Sequence, residues 1–158
     1  MTINGKLIKL LPYTRERCHE MYSHYTSDPM MTGYEFVYDH EMIDAMFDTK
    51  VCDQSRRYFA ITRDDRTIGE IQLKHIDFEK LYGTLSIVLT DDSVKSKGYG
   101  TEAESLVLKY AKDELGLKTV FADTVKRNVR SKHILEKLGF VYMHSDDIMD
   151  YFRCDFYS

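Results

Sequence analysis

"SVKSKGYGTEAE", residues Ser93 to Glu104, sets Gly98 and Gly100 one residue apart, behind Lys95 and Lys97 and ahead of a helical pattern. Only 8 of the 158 residues are glycine, so this pairing asks for a physical reason. The first amides of a helix have no partners within it, and glycine lets an anion approach them without a Cβ in the way. In that reading the amides from Lys97 to Thr101 face a diphosphate and the lysines add charge; in the other, "KGYG" is a tight turn. A P-loop is excluded, because that motif ends Gly-Lys-Ser/Thr, whereas Gly100 precedes Thr101 and Glu102. Gly98, Gly100 and Ala103 do fit G-x-G-x-x-A, with Asp123 at a distance resembling the ribose-binding acid of a nicotinamide-dinucleotide fold. In that fold the first glycine directly follows its strand, whereas here "TDDSVKSK" separates Leu89 from Gly98.

Upstream of the loop, "GKLIKLL" reads as a first strand and "TRERCHEMYSHYT" as a helix capped by Thr14. A second helix covers "DHEMIDAMFDTKV", where Met42, Ala45, Met46 and Phe47 form an apolar stripe. "RRYFAITR", "TIGEIQLKHID" and "YGTLSIVLT" then follow as an antiparallel meander. In its second strand Gly69, Ile71, Leu73 and His75 alternate with Glu70, Gln72 and Lys74. Downstream, a helix runs from Gly98 to about Leu115, with Ala103, Leu106, Val107, Tyr110 and Ala111 on one side and Gly116 as its stop. Strand "KTVFADTV", helix "VRSKHILEKL" closed by Gly139, and a terminal hairpin of "FVYMH" and "DYFRCDF" complete an α+β plan.

The length of 158 residues and the absence of a linker or repeat fit a single domain over residues 1–158. A formal charge of -4, from 22 basic and 26 acidic residues, argues against a nucleic-acid partner, so any basic site is local. Cys18, Cys52 and Cys154 are widely spaced and odd in number, which reads as reduced thiols with no metal or redox role. The opening "MTINGKLIKLLPYT" has too short an apolar run for a signal peptide, and no stretch is apolar enough to span a bilayer. The expected location is the cytoplasm, with no membrane partner.

"KSKGYGTEA" followed by "NVRSKHILEKLGF" resembles the Gcn5-related N-acetyltransferase (GNAT) superfamily, within it the branch of ribosomal-protein N-terminal and spermidine acetyltransferases. "DQSRRYFAI" and "TIGEIQLKHID" resemble that branch's second and third strands. The resemblance implies a single-domain acyl-CoA N-acyltransferase fold: a mixed, mainly antiparallel central sheet flanked by about four helices. It implies that the amides of Lys95, Ser96, Lys97, Gly98, Tyr99, Gly100 and Thr101 hold the pyrophosphate of acetyl-CoA, with Lys95 as the basic first residue of the loop. Ile87, Val88 and Leu89 would offer a backbone edge to the pantetheine arm, and a backbone amide near Val88 or Leu89 would stabilise the developing oxyanion. Asn128 and Ser131 match the family's Asn-x-x-Ser/Ala and would lie beside the coenzyme, while Asn128 is also a favoured helix cap. No metal is implied.

The implied reaction is direct attack of a primary amine, on a protein N-terminus or a small molecule, upon the thioester. Many members carry a tyrosine in "Leu-Tyr-Glu-Lys-Leu-Gly-Phe"; this chain has Leu135 there, leaving Ser131 by position, Tyr142 by chemistry, or water as the general acid. His75 is the candidate base, its alternative being a hydrogen-bonded core residue. Glu35, in "GYEFVYD", matches the segment lining the acceptor pocket, or is a surface glutamate. Glu35, Asp39, Glu41 and Asp44 together would attract a polyamine. The missing tyrosine also admits a non-catalytic acyl-CoA-binding module, and exposed terminal strands suit a homodimer.

Overall fold

A computed structural model describes residues 1–28 and 33–156. Strands β1 (Ile3–Asn4) and β2 (Lys9–Pro12) form a hairpin, followed by helices α1 (Arg15–Ser23) and α2 (His40–Met46). Strands β3 (Arg57–Arg63), β4 (Arg66–Asp77) and β5 (Tyr82–Leu89) make the meander. Helix α3 (Tyr99–Asp113), strand β6 (Thr119–Val125), helix α4 (Val129–Lys137) and strands β7 (Val141–Ser145) and β8 (Met149–Asp155) follow. The described strands form an 8-stranded sheet with the order β1-β2-β3-β4-β5-β6-β8-β7. Its β5–β6 pair is parallel and the others are antiparallel. The α+β expectation of a mixed, mainly antiparallel sheet with about four helices holds.

Local chemistry sets the helix starts. The Thr14 hydroxyl accepts from the Arg17 N–H at 3.2 Å, and the Asp39 carboxylate accepts from the Met42 N–H at 3.0 Å. Helix α1 ends at Ser23, short of the expected Thr26, and beyond Met46 the second helix widens into a π turn over Phe47–Val51. The expected first strand is divided, because the chain turns back after Asn4 and the Gly5 N–H donates to the Ile8 carbonyl at 2.9 Å.

Both faces of the sheet are covered. Leu10, Phe59, Ile61, Ile71, Leu73, Leu85, Val120 and Phe152 pack with Ala103, Val107 and Ala111 of α3 and Leu135 of α4. On the other face Tyr13, Cys18, Ile43 and Ala60 gather Tyr22, Phe36, Met46, Phe47 and Tyr58 under α1 and α2. Period-2 alternation therefore sends β3 and β4 side chains into one of two cores, rather than into a core and solvent.

The alternation expected along β4 breaks near its end. The register with β5 shifts between Lys74 and Asp77, and His75 takes a left-handed backbone with φ 52°. The inserted residue turns His75 out to solvent, and Ile76 fills the core in its place. Among the described residues, no helix is long and apolar enough to cross a membrane.

Candidate active site

Strands β5 and β6 pair from Tyr82↔Thr119 to Leu85↔Ala122 and then part, although β5 runs on to Leu89 and β6 to Val125. On its other side β5 stays paired, with Ile87, Val88 and Leu89 opposite Ile71, Glu70 and Gly69. The Thr90 N–H bonds the Ile68 carbonyl at 2.9 Å. Strand alternation then turns the backbone of Val88 toward β4 and leaves the polar groups of Ile87 and Leu89 facing the opening.

The glycine loop lies at this opening. Gly98 caps α3 at φ 87°, a left-handed geometry that suits glycine, and a Cβ at Gly100 would touch Ile87 at 3.7 Å and Leu89 at 3.8 Å. Among the described residues, the backbone N–H groups from Ser96 to Thr101 meet no protein acceptor, whereas that of Lys95 is used within the loop, bonding the Asp92 carbonyl at 3.2 Å. The run of unpartnered amides thus begins at Ser96, one residue after Lys95. The Lys95 ammonium is itself engaged by Asp92 at 3.2 Å.

Two ties fix the first turn of α3. Glu102 accepts from the Leu7 N–H at 2.9 Å and the Ile8 N–H at 3.0 Å, and the Arg63 guanidinium lies 4.9 Å from the Tyr99 ring centre. At the exit of β6, Asn128 Oδ1 accepts from the Ser131 N–H at 3.0 Å and caps α4. Both residues therefore stand at the start of the helix that follows the parted strand.

A cavity of about 490 Å³ adjoins Val88 on the α1–α2 side. Tyr22, Tyr25, Tyr34 and Phe36 form its aromatic wall, Met42 and Met46 its aliphatic wall, and among the described residues Lys50 is its one charged lining residue. Phe36 stands 5.5 Å from Tyr22 and 5.0 Å from Tyr25, ring centre to ring centre. Beneath lies Glu70, buried, accepting from the Tyr22 hydroxyl through Oε1. Burial raises the pKa of Glu70, and the Tyr22 and Tyr13 hydroxyls and Lys50 draw it back. Among the described residues, Glu70 Oε2 and Tyr13 Oη lack a partner of good hydrogen-bond geometry. Another cavity, of about 420 Å³, follows the β1–β2 edge and shares no lining residue with the loop from Ser96 to Thr101 or with the aromatic cavity.

The other sequence candidates do not converge here. His75 projects to solvent near the end of β4 remote from Glu70, about 17 Å along the strand at ~3.4 Å per residue. Tyr142 is on the outer strand β7, bonded to Ser145 at 2.6 Å, with β8 and β6 between it and β5. Glu35 is exposed, and its neighbours Tyr34 and Phe36 line the cavity instead. Of the proposed polycation-attracting acids, Asp39 caps α2, while Asp44 meets His19 at 2.7 Å and Arg15 at 3.0 Å. Those partners hold the Asp44 pKa below the ordinary carboxylate value, the His19 hydrogen bond first. None of Glu35, Asp39, Glu41 and Asp44 lines the cavity. Glu70 escaped the sequence reading because alternation assigned it to the polar face of β4. The signal was a glutamate inside the strongly apolar "TIGEIQL".

Comparison with known proteins bears on the same geometry. A family model described as an acetyltransferase (GNAT) domain matches residues 8–141. The spermidine N(1)-acetyltransferase of Escherichia coli (strain K12) is 26% identical over 136 residues, covering 84% of this chain and 72% of that protein. A probable N-acetyltransferase of Bacillus subtilis (strain 168), YjcK, is 39% identical over 77 residues, or 49% of this chain and 42% of its own. Among solved structures, a probable acetyltransferase aligns with a TM-score of 0.82 at 15% identity, covering 98% of this chain and 97% of its own. The spermidine N-acetyltransferase from Vibrio cholerae in complex with CoA and spermine aligns with a TM-score of 0.79 at 16% identity, over 94% of each chain. The structures share the fold, and the family match spans most of the sequence. With the parted strands and the glycine loop in place, the chain belongs to the GNAT family of N-acetyltransferases.

Proposed function

We propose that this chain transfers the acetyl group of acetyl-CoA to a primary amine carried on an apolar body. The observation that carries the reading is the junction at β5: unpartnered amides and a bare strand edge on one side, an aromatic cavity on the other. The amides from Ser96 to Thr101 would hold the pyrophosphate, with Lys97 adding charge. The backbone edge of Ile87 and Leu89 would satisfy the amides of the pantetheine arm, and Asn128 and Ser131 would flank it. Bound there, acetyl-CoA supplies a thioester carbonyl open to attack. Strand alternation favours the Leu89 N–H over that of Val88 as the donor to the developing oxyanion. Ser131 or water is the acid for the departing sulfur. Direct attack fits the thiols, since burial pushes Cys18 up to about 11, burial also raises Cys154, and Cys52 lines no part of the cavity.

The acceptor is inferred from the cavity wall. Aromatic rings and methionines with, among the described residues, a single cation suit one ammonium on an apolar body better than a polycation. The spermidine acetyltransferases among the relatives support a polyamine as the second reading. We place a homodimer contact at the exposed strand β7; light scattering that reads a monomer mass overturns that assignment.

Thermal unfolding with acetyl-CoA, CoA and NAD, beside Gly100→Glu, tests the coenzyme half. A ligand at ~100 times its Kd adds about 2.7 kcal/mol, a rise of several degrees for the wild type and none for the folded variant. Stabilisation by NAD alone, or by nothing, overturns the reading. CoA release from phenethylamine, N-terminal peptides and spermidine then ranks the acceptors; a preference for spermidine restores the polyamine reading.

A further inference from the structure

Tyr22, in the last turn of α1, has one side on the aromatic cavity and its hydroxyl on Glu70. Glu70 is 5% exposed and lies opposite Val88, which lines the same cavity. The carboxylate is therefore one strand away from the bared end of β5, with a phenol between it and any occupant of the cavity. The titratable groups facing Glu70 are Tyr13, ahead of α1; Cys18, Tyr22 and Tyr25, from α1 and its exit; Tyr58 on β3; and Lys50 in the π turn. Lys50 is the one cation among them, and the hydroxyls remain neutral because burial raises their pKa, that of Tyr58 to about 12.

We infer that Tyr22 and Glu70 form a proton relay for the acceptor amine: Tyr22 touches the amine, and Glu70 accepts the proton through it. The inference rests on the acetyltransferase reading. The acceptor ammonium gives one N–H proton to Tyr22 Oη while the Tyr22 hydroxyl proton passes to Glu70 Oε1. Tyr22 stays neutral, Glu70 becomes a carboxylic acid, and the nitrogen gains a free electron pair. That pair forms the N–C bond to the acetyl carbon, the C–S bond breaks with its electrons on sulfur, and a second N–H proton goes to the sulfur. After product release the relay runs backward and the proton on Glu70 returns to solvent. The net products are the amide, CoA thiol and one proton. Burial makes Glu70 a better acceptor than an exposed glutamate, which suits ammonium groups of high pKa.

The test uses two acceptors with the same aromatic body. Phenethylamine carries an alkylammonium, like lysine at ~10.4, and phenylalaninamide an α-amino group, at ~7.7–8.0. Near neutral pH, Tyr22→Phe and Glu70→Gln should lower kcat for phenethylamine by roughly 100-fold or more. The loss should be much smaller for phenylalaninamide, and raising the pH should rescue both variants. Stabilisation by acetyl-CoA should be unchanged, which also shows that the variants fold. If Glu70→Gln does not fold, Tyr22→Phe carries the same comparison. Activity within a few-fold of wild type, equal losses for both amines, or no rescue by pH overturns the relay and leaves the acetyltransferase reading standing. A wild-type chain that releases no CoA with either amine or with spermidine overturns both.

Discussion

Each face of the sheet buries a glutamate, and the two differ in what surrounds them. On the α3 face Glu104 is 5% exposed beside Ala103 and Val107, its Oε2 has no partner among the described residues, and burial pushes it up to about 8. On the α1–α2 face Glu70 is equally buried but answered by the Tyr22 hydroxyl, near a cavity that reaches Val88. A buried carboxyl becomes useful when a donor and a route to the substrate come with it; without them it is a stability cost. In the proposed function, the aliphatic face holds the coenzyme loop in place and the aromatic face recognises the acceptor. Nothing in the described contacts of Glu104 accounts for a carboxyl there.

Replacing each glutamate by leucine tests the contrast most severely. The folded chain holds a proton on Glu104 that the unfolded chain releases above about 4.5, so stability is full below that pH and declines until about 8. The decline is ~1.4 kcal/mol per pH unit, so Glu104→Leu should stabilise by a few kcal/mol near pH 8 and by little near pH 4. Urea unfolding at both pH values checks this, and turnover should stay near wild type, whereas Glu70→Leu should abolish it. A Glu104→Leu chain that is weaker at pH 8 breaks the comparison.

Gly5→Ala comes next. A Cβ there would lie 1.9 Å from Glu102 Oε1 and 2.8 Å from the Ile8 carbonyl oxygen, forcing the carboxylate off the Leu7 and Ile8 amides. A loss of ~1–3 kcal/mol is expected, with weaker acetyl-CoA binding by calorimetry; unchanged binding would detach the hairpin from the cradle. Asn128→Ala should cost about 1 kcal/mol as a lost cap. Asn128→Asp keeps the cap and adds a negative charge beside the proposed path of the anionic coenzyme, so it should keep its Tm and bind acetyl-CoA less well. The smallest effect belongs to Lys97→Ala, ~0.3–1 kcal/mol of coenzyme affinity at low salt, fading as salt is raised. Lys95→Ala should do less still, because Asp92 already holds that charge.

Much of the fold was legible because its signals are local. Thr14 and the glycine stops marked helix ends, and alternation marked β3 to β5. The glycine loop was legible too, down to its bare amides. What escaped depends on tertiary placement. One extra residue before Asp77 reversed the side of His75, which no alternation count detects. The insertion of β8 between β6 and β7 carried Tyr142 to the outside, and strand order is not written in the hairpin that contains it. Glu70 was assigned to solvent because its face is covered only once α1 and α2 pack over it. Glu104 keeps helical spacing with Val107, Leu108 and Ala111, but its charge placed it outside the apolar stripe read from the sequence.

The contact of Glu102 with the first hairpin bears on how the molecule comes together. Its partners Leu7 and Ile8 are 95 and 94 residues away along the chain. Helix α3 can coil early from its own sequence, but its first turn is anchored only when that long loop has closed. Coenzyme competence should therefore be a late event in refolding, appearing after helical circular dichroism has recovered. In native-state hydrogen exchange, the Leu7 and Ile8 amides should gain protection when acetyl-CoA is added, because both donate to Glu102 in the first turn of α3.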